Sequence, residues 1–448
     1  MSARFVPPFP PRGQGPVAVW RGLFGERART AVYGWSEAAF SGPSMRRKVL
    51  GFTVIIPLEP AEVQHVLLDN AANYAKPDIV KSLLGPVIGR GLLTSDGDLW
   101  RSQRKIVAAT FAPAAVDALA PAFTKAALER MSQWRAGERI DMAAEATVTT
   151  MTIIADTLFG GDQRLKTDAG RAHIEAAIGA LGEARIQALL GLPTIAWSGG
   201  LRRGRRGQDY LRKTLADVVR DRLRQEPRDD FLGRLITALG KQFDAPEALG
   251  LAVDNAATFY LAGHETTANA LTWTLYLLAA QPALQAEAAE EARTALTAGE
   301  DGLTDRLPLL RAILDESLRL YPPVPRFDRQ ALGPDRIGDV DVAAGDIVSI
   351  WPWLLHRRKA LWDDADAFDP KRFAIAGRAR HRFQYIPFGG GPRLCVGARF
   401  ATVEALHVLA HWLSDWSFVP AGDQPVKLSG MATLRPAGGL ALIAERRA

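Results

Sequence analysis

The chain has 448 residues, 48% of them apolar and 23% charged, with a formal net charge of +6. That balance belongs to an ordinary folded, soluble protein, and the single cysteine excludes an internal disulfide and a four-thiolate metal site. No run of eighteen or more apolar residues occurs, so no transmembrane helix is predicted, and the mild basic charge lacks the aromatic-rich patch or finger motif of a nucleic-acid binder.

Residues 1–20 lack the charged-then-apolar order of a secretory signal. They open instead on an extended segment with Pro7, Pro8, Pro10 and Pro11. Gly51 to Leu58 alternates weakly and is predicted as a strand. Pro60 suits a helix start, and Ala61–Leu68 has helical spacing. Residues 79–95 carry Gly85, Pro86, Gly89 and Gly91 and are predicted to form a loop lining a pocket. A phosphate cradle would need a strand before it, which is missing. Asp96 or Asp98 can cap a helix running to about Phe111, which sets Trp100 and Arg104 on one face.

Helical patterns continue to about residue 160 and again over 171–190 and 207–226. Between the last two, the run Arg202-Arg203-Gly204-Arg205-Arg206 is predicted as a solvated loop. Residues 246–280 make the longest helix candidate, ended by Pro282. Ala256 to Leu278 is apolar on most faces and should be buried. Its middle nevertheless holds Gly263, His264, Glu265, Thr266, Thr267 and Asn269. Another helix covers 304–320, closed by Tyr321-Pro322-Pro323. Val324 to Asp346 changes to short strands with glycine turns. The segment 356–387 is irregular and charged, Val396 to Leu413 is helical, and the tail returns to strands. The expected fold is mainly α with a small β part. No linker divides it, so a single domain is expected over 1–448, with 1–20 a proline-rich extended start.

The cysteine lies in Phe388-Gly389-Gly390-Gly391-Pro392-Arg393-Leu394-Cys395-Val396-Gly397. Three glycines strip side chains from the turn, so the backbone can approach a large flat group. Arg393 sets a permanent cation two residues before the sulfur. Turn N–H groups can hold a thiolate deprotonated, and such a thiolate suits axial ligation of haem iron.

This stretch resembles the F-x-x-G-x-R-x-C-x-G signature of the cytochromes P-450, with every fixed position filled. The resemblance covers nearly the whole chain and places four signatures in the family's order. It implies haem b held between the long central helix and the helix after the cysteine turn, with Cys395 as the iron ligand. Phe388, Gly389 and Gly397 would form the turn against it, and Arg393 would pair with a haem propionate. Trp100 and Arg104 are similar to the family's W-x-x-x-R pair at the haem, and Arg329 matches a position that reaches a propionate.

Glu316 and Arg319, ahead of the Tyr321–Pro325 run, resemble E-x-x-R. Arg372, in Phe368-Asp369-Pro370-Lys371-Arg372-Phe373, would complete a buried network that retains haem. Ala262-Gly263-His264-Glu265-Thr266 resembles A-G-x-[D/E]-T. Gly263 costs about 0.5–1 kcal/mol inside a helix and would admit the ring. Thr266 can bond a backbone carbonyl and open the helix, and Glu265 and Thr266 would relay protons to dioxygen.

The implied activity is monooxygenation of an apolar substrate by O₂. Electrons would come ultimately from NAD(P)H through a ferredoxin or flavodoxin, because no G-x-G-x-x-G follows a strand. A monomeric, cytoplasmic, bacterial-type protein is expected. A peroxide-driven peroxygenase is the rival within enzymes, against which the Glu265–Thr266 pair argues. A haem sensor or electron carrier is the rival outside them.

The implied docking face carries Arg101, Lys105, Arg378, Arg380, Arg382 and Arg399. His407 and His411 sit at i, i+4 and could share a metal. A metalloprotease needs Glu where Val408 stands, so they are read as core or surface histidines. Asp363, Asp364 and Asp366 lack the glycine and glutamate of a calcium loop. His356 has no assigned role.

Overall fold

The computed structural model describes residues 4–13, 30–49, 51–189, 198–226, 228–374, 380–430 and 432–447. The chain divides into two compact units. One comprises Met1–Tyr74, Phe123–Thr149 and Thr266–Ala448; the other comprises Ala75–Ala122 and Thr150–Glu265. The Ala245–Ala279 helix contributes residues to both.

The first unit holds the sheets. A five-stranded sheet orders Met45–Val49, Phe52–Ile56, Ile347–Ile350, Phe327–Ala331 and Tyr74–Ala75. Phe52–Ile56 pairs parallel to Ile347–Ile350, which pairs antiparallel to Phe327–Ala331. Its apolar face buries Ile55, Val348, Ile350 and Ala331 against Val66, Leu67 and Phe383. A three-stranded sheet sets Ala441–Arg446 between Glu138–Asp141 and Trp416–Pro420. Trp134 packs edge-on against Trp412, Trp416 and Phe418 there. The Pro308–Leu320 and Ala398–Asp415 helices belong to this unit, and the second carries fourteen buried residues on most of its faces.

The second unit is helical. Phe111 stacks on Phe259 at its core and Phe231 packs edge-on against both, with Phe159 edge-on against Tyr260. Two expectations fail here. Residues 79–95 are not all loop, because Asp78–Ile88 is a helix with Pro86 inside it. Gly89 and Gly91 then lie flush on the long helix: a Cβ on Gly89 would meet the Asp254 carboxylate at 2.0 Å, and one on Gly91 the Thr258 hydroxyl at 2.2 Å. The glycines mark close approach rather than a free loop.

The arginine run is likewise helical, inside Gly199–Leu223. Gly204 and Gly207 are buried against Ala180 and His173, where a Cβ would meet Ala180 Cβ at 2.2 Å and the His173 carbonyl oxygen at 2.1 Å. Arg202, Arg203, Arg205 and Arg206 point to the exposed side of that helix. Among the described residues no single helix is long and apolar enough to cross a membrane.

Candidate active site

The cysteine turn is locked by its glycines. Gly389 has φ +75° and Gly391 φ +66°, left-handed values that favour glycine. A Cβ on Gly391 would lie 1.7 Å from the Leu67 carbonyl oxygen, and one on Gly390 2.6 Å from the Phe383 ring. These two glycines therefore seat the turn on Leu67 and Phe383, and only Gly389 faces open space, its nearest neighbour being the Phe327 ring at 3.9 Å. Cys395 N–H donates to the Phe388 carbonyl at 3.0 Å, closing the turn, and the thiol residue itself is exposed. Gly397 caps the Ala398–Asp415 helix. Phe388, Arg399, Thr402, Leu406, Asp305 and Arg311 line a cavity of about 330 Å³ beside the turn. Arg329 is buried on the Phe327–Ala331 strand, its guanidinium 5.3 Å from the Phe327 ring.

Glu316, Arg319 and Arg372 meet inside the same unit. Arg319 donates to both Glu316 oxygens at 2.7 and 2.8 Å, and Arg372 Nε donates to Oε1 at 3.3 Å. Their side chains are 0%, 0% and 3% exposed. Arg319 also donates to the carbonyls of His356, Ala365 and Ala367. That gives His356 a place. Its carbonyl takes Arg319, and its Nε2 accepts the Ile386 N–H at 2.9 Å, two residues before Phe388. The imidazole thus joins the charge network to the segment leading into the cysteine turn.

In the second unit, Trp100 and Arg104 lie half-buried on the Gly97–Ala108 helix, with Gln103 fully buried between them in sequence. Asn255 on the long helix donates to Gln103 Oε1 at 2.7 Å and accepts from Leu92 N–H at 3.1 Å, while Gln103 donates to the Arg90 carbonyl at 3.0 Å. Arg90 N–H and Arg212 bond the Asp254 carboxylate at 2.8 and 2.9 Å. A buried, mutually satisfied polar set therefore orients the Trp100 helix. Gln103, Asn255 and Asp254 were not singled out from the sequence. The available signal was polar residues on faces otherwise apolar.

The long helix is buried along most of its length, yet Ala262 is exposed in its middle and Leu261, Gly263, Glu265 and Thr266 are half-buried. A Cβ on Gly263 would meet the Ile154 side chain at 2.5 Å, so this glycine lets the neighbouring helix approach. Thr150 from that helix donates to the His264 carbonyl at 3.0 Å. The helix runs unbroken through Thr266. On the Ala398–Asp415 helix, Glu404 is fully buried. Burial holds its carboxyl well above the usual range, offset in part by Thr267.

Burial also holds two imidazoles neutral, pushing His356 down to about 3 and His264 down to about 4. The unfolded chain protonates both near pH 6.5. Below that pH the unfolded state binds more protons, so stability falls as pH falls. Denaturant melts should therefore lose stability from about pH 6.5 toward 4, by up to about 1.4 kcal/mol per pH unit for each imidazole. His356→Gln should shallow the slope. A profile flat from pH 7 to pH 5 would contradict this account.

Of the basic residues expected on one docking face, Lys105, Arg382 and Arg399 are exposed, and Arg101 is exposed and paired with Asp98. Arg380 departs from the expectation. It is half-buried, stacked 4.9 Å from Trp362 and 4.6 Å from Phe373, and bonded to the Arg372 carbonyl, so it serves packing. Arg378 lies outside the described residues.

The donor set suits haem. One thiol, outside any disulfide, is exposed on a glycine-locked turn with a guanidinium two residues before it. A thiolate ligand is what the iron of that group accepts.

A mainly helical chain with small sheets and this cysteine turn is a haem-thiolate protein by class, and comparison with known proteins identifies the family. The cytochrome P450 family model matches residues 18–443, and the chain belongs to that family. It is 30% identical over 424 residues to Protein LUTEIN DEFICIENT 5, chloroplastic, of Arabidopsis thaliana, covering 88% of this chain and 70% of that protein. It is 29% identical over 441 residues to 11-oxo-beta-amyrin 30-oxidase of Glycyrrhiza uralensis, covering 92% and 81%. The structure of retinoic acid bound cyanobacterial CYP120A1 superposes with a TM-score of 0.79 at 24% identity, covering 91% of this chain and 92% of that one. The protein is accordingly a P450 oxidoreductase, of a family that uses haem iron and O₂.

Proposed function

We propose that the whole chain, 1–448, works as one P450 domain that inserts one atom of O₂ into an extended isoprenoid substrate. The other atom leaves as water, with two electrons from a separate ferredoxin or flavodoxin supplied by NAD(P)H. The observation that carries this reading is the exposed, glycine-locked Cys395 in a chain whose long helix presents Glu265 and Thr266 midway along a buried run. Lutein and β-amyrin, the compounds in two relatives' names, are both large isoprenoids, which supports the substrate class. A cytoplasmic monomer is part of the same reading.

Haem b, when bound, supplies the iron at which O₂ is reduced. The protein's own residues do the rest. Cys395 donates its sulfur, held by the closed turn. Trp100, Arg104, Arg329 and Arg393 would hold the propionates through N–H donors, three of them cationic. Phe388, Gly389 and Gly397 shape the turn, and Ala262 and Gly263 keep the helix surface low. Glu265 takes protons from solvent and Thr266 holds one at its hydroxyl. Exposed Arg382 and Arg399 would meet an acidic electron donor.

Reconstitution with ferredoxin and with flavodoxin systems, after spectral titration with isoprenoids and fatty acids, tests the whole reading. Thr266→Ala should bind haem and substrate as wild type does. Its product per electron should fall about tenfold or more, the scale of a lost proton-transfer group, with peroxide taking up the difference. Unchanged coupling in that variant would remove Thr266 from the mechanism, and turnover by peroxide alone would favour a peroxygenase.

A further inference from the structure

His407 and His411 lie one turn apart on the Ala398–Asp415 helix, with side chains 3% and 9% exposed. Glu300, in the turn after the Pro282–Thr297 helix, reaches both. Its Oε1 is 3.1 Å from His411 Nε2, and its Oε2 is 3.5 Å from His407 Nδ1. Thr124 Oγ1 donates to Glu300 Oε2 at 3.0 Å and lies 3.2 Å from His407 Nδ1. One ligand atom from each of Glu300, His407 and His411 can be chosen so that all lie within 4.8 Å of one another.

Two features set this cluster apart from an ordinary ion pair. His411 Nε2 is buried, yet it makes no hydrogen bond of acceptable geometry among the described residues despite the nearby carboxylate. Buried polar atoms left this way call for a partner. The spacing also suits a cation between the groups. With metal–ligand bonds of about 2.0–2.1 Å, tetrahedral ligands stand roughly 3.3–3.4 Å apart; His411 Nε2 stands 3.1 Å from one Glu300 oxygen and His407 Nδ1 3.5 Å from the other, and single ligand atoms of the three residues lie within 4.8 Å of one another. The Glu300 side chain is 47% exposed, which leaves an entry path and room for water.

We propose that Glu300, His407 and His411 bind a divalent cation of the zinc class, with water as fourth ligand. Two imidazole nitrogens and one carboxylate select a borderline metal. Magnesium and calcium prefer all-oxygen shells. Thr124 aims the carboxylate. The bound ion would pin the turn at Glu300 and the Thr124 helix to the helix that begins at the cysteine turn. It would be a structural clasp separate from any redox chemistry, and it does not rest on the reading of the active site.

The test is zinc titration of tag-free, haem-loaded protein stripped with a chelator, read by competition with a zinc indicator and by thermal melting. The expected result is one equivalent bound, a higher melting temperature with zinc and none with magnesium. His411→Ala and Glu300→Gln should each weaken binding by more than about tenfold, the loss seen when even indirect support for a ligand is removed. Glu300 is exposed enough that its variant should fold, which an unchanged haem spectrum would verify. Absence of stoichiometric binding, or binding unchanged in Glu300→Gln, would overturn the site.

Discussion

Glu316→Ala should lower stability by about 3–5 kcal/mol, the cost of leaving buried charge without its partner. The carboxylate is wholly buried and accepts from Arg319 twice, from Arg372, and from the Asp369 N–H at 2.8 Å. Its removal leaves two guanidinium groups, 0% and 3% exposed, facing each other with no anion between them. Arg319 keeps its three carbonyl acceptors, which hold position but do not neutralise charge. Because whole-domain stabilities are about 5–15 kcal/mol, much of the margin would go. The variant should melt at far lower urea and be recovered haem-poor, since Arg319 and His356 tie the network to Ile386 ahead of the cysteine turn. Glu316→Gln keeps the shape and should fall between. A wild-type melting midpoint in Glu316→Ala would show that the network does not hold the fold.

Cys395→Ala should abolish turnover while leaving the fold. The cysteine is exposed, and its turn is held by backbone bonds and glycine contacts that the substitution does not touch. Melting should therefore change by less than about 1 kcal/mol, because the backbone bond that closes the turn survives the substitution. Product formation should fall to background, because the only thiol in the chain is gone. Circular dichroism and product assays on one preparation separate the two effects. A variant that still turns over would require another ligand.

Much of the fold was legible because long helices carry their periodicity locally. The Ala245–Ala279, Pro308–Leu320 and Ala398–Asp415 helices lie within a few residues of where their apolar spacing set them. What was misread turns on glycine. Gly89, Gly91, Gly204 and Gly207 look like breakers along the chain, yet each is required where two helices or a helix and a turn touch. That reason exists only in three dimensions. Partnerships at long range were illegible for the same cause. Asn255 meets Gln103 across 152 residues, and the carboxylate that reaches His407 and His411 sits in a turn with no pattern of its own. The cysteine turn was legible because its chemistry is written in ten consecutive residues.

The absorption spectrum of the reduced, haem-loaded protein under carbon monoxide tests the central claim, that Cys395 presents a thiolate to haem iron. The account predicts the strongly red-shifted Soret band of thiolate ligation in the wild type and its loss in Cys395→Ala. A wild-type Soret band at the position of histidine-ligated haem, or a red-shifted band retained in Cys395→Ala, would contradict it.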